Sequence, residues 1–157
     1  MEFGYRSPLG TILIESSNKK IIRVSFTNSK PGDEKDRYIQ QVCDYFDCYF
    51  SGGQPDISKI SVHLHGTQFQ MKIWQYLQEI PYGETITYGQ LALQYATEHK
   101  LNRMSPQAVG QAVRANPIAI LIPCHRVVGT KGKLTGYAGG LDKKAVLLAI
   151  EKANKVL

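Results

Sequence analysis

Cysteine is scarce in this sequence: three residues in 157, with no Cys-x-x-Cys spacing among Cys43, Cys48 and Cys124. An odd, scattered set of this kind points away from a disulfide framework and a structural zinc site, and leaves at least one thiol free. Long apolar runs are lacking too. No stretch reaches the roughly 18 uninterrupted apolar residues of a membrane span. The start, Met1-Glu2-Phe3-Gly4, lacks the basic-then-apolar layout of a signal peptide. A cytoplasmic chain with no membrane partner is the expectation. Repeats and low-complexity tracts are also missing. What is present, 43% apolar and 20% charged residues with 14 Gly and 7 Pro, describes a globular chain of one domain or two very small ones.

Acidic residues are missing from one region in particular. Residues 1–84 hold 9 Lys/Arg against 10 Asp/Glu, whereas residues 85–157 hold 10 against 3, and between Thr85 and Gly140 the only acid is Glu98. The net charge of +6 therefore belongs to the back half. Such asymmetry fits an anionic partner, with nucleic acid ahead of a membrane surface because no Lys/Arg cluster is contiguous. An ordinary solvated basic face explains the charge count equally well.

Periodicity divides the chain. Thr11 to Glu15 and Ile21 to Phe26 alternate around turn residues Ser16 to Lys20, which predicts a β-hairpin with Phe3 to Tyr5 as a further strand. From Asp33, apolar residues recur every three or four positions (Tyr38, Val42, Tyr45/Phe46, Tyr49/Phe50) until Ser51-Gly52-Gly53, as in an amphipathic helix. Ile57 to Leu64 alternates again and predicts a strand leading out of a first domain. Thr67 is a helix cap before the stripe Phe69, Ile73, Leu77, Ile80, which Pro81-Tyr82-Gly83 ends. Thr87-Tyr88-Gly89-Gln90 is a capping box opening a helix to about Ala96, and Ser105-Pro106 opens another that stops before Asn116-Pro117. Two capped helices in a basic region suggest a helix-turn-helix, although core-packed helices with no DNA role fit the same pattern. Ile118 to Ile122 reads as strand-like and Thr130 to Gly140 as a glycine-rich loop. Leu141 to Val156 reads as a last helix with Val146, Ala149, Ile150 and Ala153 on one face.

Cys43 and Cys48 sit among aromatics on the first helix and read as inert, buried small hydrophobes. Cys124 has a different setting. It follows a proline that fixes the chain and precedes a His-Arg pair that favours thiolate, so a reactive thiol and an inert one are both open readings. On an extended segment, neighbouring side chains point apart, so adjacency alone does not bring the His125 ring to the sulfur.

Ile122-Pro123-Cys124-His125-Arg126-Val127 resembles the active-site motif of the O6-alkylguanine-DNA alkyltransferases, also called methylated-DNA-protein-cysteine methyltransferases. The resemblance continues through Pro81-Tyr82-Gly83-Glu84-Thr85, Thr87-Tyr88-Gly89-Gln90-Leu91-Ala92, Ala108-Val109-Gly110, Asn116-Pro117, Tyr137-Ala138-Gly139-Gly140-Leu141 and Glu151, and so covers residues 67 to 151. Before that, only length and the order of strands and helix match. The resemblance implies an α+β fold. A small amino-terminal antiparallel-sheet domain with a helix, ribonuclease-H-like, would span residues 1–65, and a mostly helical domain with a helix-turn-helix residues 66–157.

By the same resemblance Cys124 is the alkyl acceptor, His125 its base acting through a water, Glu151 the carboxylate that orients the histidine, and Asn116 the brace of the active-site turn. Tyr88 is the phenol that hydrogen-bonds the departing guanine oxygen. Tyr137, Ala138, Gly139, Val127 and Val113 are implied around the rotated base. Gln107, Ala108, Gly110, Arg114, Thr87 and Tyr88 are implied on the DNA, with the small residues of the second helix (also Ala112 and Ala115) admitting it to a minor groove about 6 Å wide. The implied partner is double-stranded DNA containing O6-alkylguanine, or O4-alkylthymine, met by a monomer. The thioether product cannot be reversed, so one molecule repairs one lesion, and no cofactor is implied.

Two departures stand out. Gln107 takes the place of the family's usual stack-filling arginine, so it fills the space without the charge; the plainer reading makes its amide a helper of the cap at Ser105. No cysteine precedes Cys43, and His63 and His65 read as rim residues, so no metal is expected. Competing readings are a non-catalytic alkyltransferase-like protein that binds and flags lesions, which lacks an acceptor cysteine, a cysteine hydrolase, and a plain DNA-binding regulator.

Overall fold

The structure is a computed structural model and describes residues 1–155. Its contacts form two units, Met1–Leu64 with Pro117–Leu121, and His65–Asn116 with the chain from Ile122 onward.

In the first unit, β1 (Glu2–Ser7), β2 (Gly10–Ser17) and β3 (Lys20–Phe26) make an antiparallel sheet in the order β1-β2-β3. Asn18 and Lys19 take φ of 49° and 64°, the conformation a two-residue hairpin turn requires. Glu15 pairs with Arg23 but Ser16 with Ile21, so Ile22 is an extra residue, a bulge. The bulge explains why Ile21 and Val24, three apart, are both buried with Ile12 and Ile14. Over this face packs α1 (Arg37–Phe50), capped by Asp36, whose carboxylate accepts from Ile39 N at 2.8 Å and from Ser16 Oγ at 2.5 Å. The helix buries Ile39, Val42, Cys43, Phe46 and Tyr49. Cys48, expected to be buried like Cys43, is exposed, because it lies off this stripe.

Two apolar segments expected as strands are not. Residues 57–64 open with a 3₁₀ turn (Ile57–Lys59) that Asp56 caps through Ser58, and only Val62 pairs, in parallel with Ile21. In 118–122 only Ile118 pairs, with Val24, and the chain then turns at Ile120 with φ of 69°, rare for a β-branched residue. Both segments are used to cover the outer edge of β3. Ile21 bonds Ser61 O and His63 N, each at 2.8 Å, and Val24 bonds Pro117 O and Ala119 N, each at 2.9 Å.

The second unit contains α2 (Gln68–Gln78), β4 (Ile86–Thr87), α3 (Tyr88–Glu98), α4 (Pro106–Arg114), β5 (Val127–Val128) and α5 (Leu141–Asn154). Capping boxes are complete at Thr67/Gln70 and Thr87/Gln90, and Ser105 caps α4 with Pro106 in its first turn. Trp74 of α2 donates to the Ala112 carbonyl of α4 at 2.8 Å. Ala112 is therefore a core residue here rather than a groove-facing one. The short β4 and β5 pair in parallel, Ile86 with Val127 and Thr87 with Val128. On α5 the buried face is Lys144, Leu147 and Glu151, not the expected face of Val146, Ala149, Ile150 and Ala153; Val146 is exposed. Among the described residues no helix is long and apolar enough to cross a membrane.

Candidate active site

Cys124, His125 and Arg126 form a buried 3₁₀ turn running into β5, in place of the extended segment expected. Cys124 N donates to Ile122 O at 2.7 Å and Arg126 N to Pro123 O at 3.0 Å. Asn116, at the end of α4, donates from Nδ2 to Ile122 O at 2.9 Å, and its side chain also hydrogen-bonds Cys124. One amide thus ties the residues on either side of the 117–121 excursion and touches the thiol.

Glu151 of α5 is the meeting point of the site. It is 1% exposed, and its carboxylate accepts from His125 Nε2 at 2.5 Å, Arg126 Nε at 2.7 Å and Gly83 N at 3.2 Å. Gly83 has φ of 79°, so the Pro81-Tyr82-Gly83 turn needs a residue free to adopt the left-handed region before its N–H can take part. Arg126 extends the network, donating to Ile80 O at 2.7 Å with its guanidinium 5.7 Å from the Tyr82 ring centroid. Burial alone would raise the Glu151 pKa, but the bonds and charges of His125 and Arg126 outweigh it and hold the group at about 2.

The histidine goes the other way. Burial lowers the His125 pKa more than Glu151 raises it, so the resting ring is neutral. With Nε2–H given to the carboxylate, Nδ1 is the acceptor, and it is buried with no protein partner. Burial pushes the Cys124 thiol up, against the opposing pull of Asn116 and Lys144. The resting pair is accordingly a neutral thiol and a neutral imidazole whose free nitrogen can receive a proton.

Lys144 was not singled out by the sequence. Its side chain is buried, Nζ donates to Thr135 O at 2.8 Å, and burial lowers its pKa to about 8. Tyr88 also reaches this loop, its O–H lying 3.1 Å from Thr135 O and 3.2 Å from Gly136 O. Tyr137 places a hydroxyl in the interior with no protein partner.

Beside these groups lies a groove of about 630 Å³ lined by Gln107, Gly110, Gln111 and Arg114 of α4, by Tyr88, and by Thr135 and Gly136. At Gly110 an added Cβ would lie 3.7 Å from the Tyr88 ring, an ordinary contact, so the ring position does not itself demand glycine there. Gly136 is different: its φ is 53°, and an added Cβ would lie 3.0 Å from Arg114 Nη1, tighter than an ordinary contact. The groove brings together four residues expected on DNA: Tyr88, Gln107, Gly110 and Arg114. Gln111, one turn after Gln107, was overlooked although the i, i+4 spacing pointed to it. Thr87 spends its hydroxyl on the α3 cap, and Ala108 N donates to Ser105 Oγ at 3.3 Å. Ser105 also donates to Gln107 Oε1 at 3.2 Å. Val113 and Val127 are core residues, Ala138 is exposed and Gly139 half-buried. His63 and His65 are exposed, and among the described residues no group of three His, Cys, Asp or Glu is placed to hold a metal.

A sequence model described as the 6-O-methylguanine DNA methyltransferase DNA binding domain matches residues 68–153, and one described as the ribonuclease-like domain of the same proteins matches residues 4–64. The chain belongs to the 6-O-methylguanine DNA methyltransferase family. Among relatives in this family, a methylated-DNA-protein-cysteine methyltransferase of Methanosarcina acetivorans is 40% identical over 94% of this chain and 95% of its own. That of Haemophilus influenzae is 41% identical over 94% and 84%. The crystal structure of Mycobacterium tuberculosis OGT in complex with DNA superposes with a TM-score of 0.82 at 33% identity, covering 98% of this chain and 93% of that one. The α+β fold expected from the sequence, a small antiparallel sheet followed by a mostly helical region, is therefore the fold of this family.

Proposed function

We propose that the protein repairs alkylated DNA by transferring the alkyl group of O6-alkylguanine in a duplex to its own Cys124. The observation that carries this reading is the buried relay of Glu151, His125 and Cys124, in which His125 Nδ1 is poised as a proton acceptor. Displacement at an alkyl carbon needs a thiolate. His125 takes the Cys124 proton through a bridging water, Glu151 stabilises the imidazolium that results, and sulfur attacks the alkyl carbon as the bond to O6 breaks. The electron pair goes to O6, the Tyr88 phenol donates a hydrogen bond to that oxygen, and the proton taken from Cys124 returns from His125 through water to leave a neutral guanine and a neutral imidazole. The family's DNA-bound member and the groove along α4 support duplex binding.

Cys124 is buried and is not a wall of that groove, so the nucleotide rotates out of the stack to meet it. Tyr137, Ala138, Gly139, Val127 and Val113 are assigned to the receiving pocket, Gln107, Ala108, Gly110, Arg114 and Thr87 to the duplex, and Asn116 to holding the turn. The thioether is final, so the protein acts once. The alkyl donor is the damaged DNA itself, and O4-alkylthymine, an ether of the same kind, is a second substrate. One chain supplies every group named, and the acting unit is a monomer.

Intact-mass measurement after incubation with an O6-methylguanine duplex tests the reading. One methyl group per molecule, mapped to Cys124 and lost in Cys124→Ala with duplex binding kept, is the expected result. Methyl on Cys43 or Cys48, or none at all, overturns it. The latter would favour a lesion-flagging protein, a reading that leaves the intact relay without a purpose.

A further inference from the structure

Gln111 has no part in the steps above, yet it stands in the groove along α4. It is exposed, one turn after Gln107, with Arg114 three residues further along the same lining. The two glutamines differ in their ties. Ser105 donates to Gln107 Oε1 at 3.2 Å, whereas among the described residues no hydrogen bond engages the Gln111 amide, which leaves both its acceptor and its donors available. Its neighbours on the helix surface, three residues before and four after, are Ala108 and Ala115, half-buried and exposed. Gln111 is therefore a long side chain rising from a low strip. Such a strip lets a helix lie close over a groove about 6 Å wide, and the glutamine is the side chain long enough to reach its floor. Arg114, the charged residue among those lining the groove, suits a phosphate, while a neutral amide with both functions free suits a base edge that offers both.

We propose that Gln111 reads a base pair beside the lesion, its amide oxygen accepting from the N2–H2 group of a guanine and its nitrogen donating to N3 of the same base in the minor groove. The inference rests on α4 being the duplex-binding helix of the proposed function. Four residues of α-helix advance about 6 Å and successive bases stack about 3.4 Å apart. With Gln107 at the vacated place, Gln111 falls on the first or second pair away. An A·T pair shows only acceptors in the minor groove, whereas a G·C pair adds the N2–H2 donor. The Gln111 nitrogen finds a partner on either pair, but its oxygen finds one only on G·C. Lesions with G·C neighbours are therefore bound more tightly than lesions in A·T surroundings.

The test uses the full chain and duplexes carrying one O6-methylguanine, with guanine or inosine at the two positions on either side. Inosine deletes the N2 amino group and leaves the major-groove edge unchanged. Dissociation constants and single-turnover transfer rates are measured for wild type, for Gln111→Ala and for Gln111→Met, which keeps the length of the side chain without the amide. Wild type should bind the guanine-flanked duplex about five- to tenfold more tightly than the inosine-flanked one. The weaker inosine pairs ease rotation of the nucleotide beside them, which works against this sign, and the effect is common to all three proteins, so comparison of their ratios isolates the amide. Both variants should lose the preference. A guanine-to-inosine ratio equal in all three proteins overturns the proposal and leaves Gln111 a solvated helix residue. A preference that survives inosine but disappears with 7-deazaguanine overturns it too, because the edge being read is then in the major groove. Should wild type take no alkyl group from any duplex, the transfer reading fails, while the binding ratios still report what Gln111 touches.

Discussion

In Met1–Leu64 the interior is made of Ile12, Ile14, Ile21, Val24, Ile39, Val42, Phe46 and Tyr49, and the buried polar residue reported there is Ser16. In the unit that begins at His65 the interior includes His125, Arg126, Lys144 and Glu151. Apolar burial stabilises each large side chain by about 1.5–3 kcal/mol without directional demands. Buried ions stabilise only if every partner is in place, and apolar residues of the same volume often do as well or better. Four ionisable groups around one cysteine are therefore poor economy for a fold and good arrangement for a proton transfer. The first unit is built for cohesion; on the proposed function, the second gives up some cohesion to hold the thiol that accepts the alkyl group.

Glu151→Gln should break that contrast most severely. It leaves Arg126 buried beside a weaker acceptor and His125 without an anion, at a cost of about 3–5 kcal/mol by denaturant unfolding. The transfer rate should fall about a hundred- to ten-thousand-fold. The acid limb also changes. Folding depresses the Glu151 pKa from 4.5 to about 2, so its contribution is present above 4.5 and lost as pH falls towards 2. The Gln variant should lack this loss and show a flatter acid profile; wild-type stability and rate in the variant would refute the network.

Phe46→Ala is the counterpart in the apolar unit. The ring is fully buried, and its loss should cost about 3–5 kcal/mol. Transfer per folded molecule should be unchanged, and a loss of rate in molecules that remain folded would show that the two interiors do not divide the work.

Lys144→Met should stabilise the protein at neutral pH by up to about 3 kcal/mol, seen as a higher Tm. The sign follows from a folded pKa of about 8 below the ordinary 10.5: wild type gains stability as pH rises from 8 to 10.5, so the advantage of the Met variant is largest below 8 and shrinks above it. A destabilised Met variant would mean that the lysine is there for cohesion after all. The smallest effect is expected at Gln107. Gln107→Ala should slow transfer a few-fold on duplex and leave free O6-benzylguanine unaffected, whereas Gln107→Arg should hold or raise the duplex rate. Equal effects on both substrates would leave Gln107 only its bond to Ser105.

The same contrast decided what could be read from the sequence. Where burial is apolar and local pattern is its own cause, the reading held: the β2–β3 hairpin, the α1 stripe, and the caps at Thr67, Thr87 and Ser105. Two segments read as strands, one from alternation and one from an apolar run, did not form them, because apolar patterning does not report pairing. Ile57 to Leu64 and Ile118 to Ile122 each contribute one bridge to the edge of β3 and otherwise turn. On α5 the apolar pattern pointed to the wrong face, since the helix turns Lys144 and Glu151 inward around Leu147. A lysine and a glutamate seven residues apart, three and four from a leucine, was the available signal. The roles of Gly83 and Arg126 towards Glu151 depend on contacts 68 and 25 residues apart in sequence, which no local pattern carries.

The account depends on a relay that rests uncharged at sulfur and imidazole and becomes an ion pair only during transfer. Nitrogen-15 NMR of His125 in the unreacted protein, followed across about pH 5–8, reads this directly. A neutral ring protonated at Nε2 and bare at Nδ1, with any protonation of Nδ1 confined to the acid end below the ordinary histidine value, is the predicted spectrum. An imidazolium signal persisting at pH 7 would contradict it, because the thiolate would then be formed before substrate arrives and the burial argued for Cys124 and His125 would have the wrong sign.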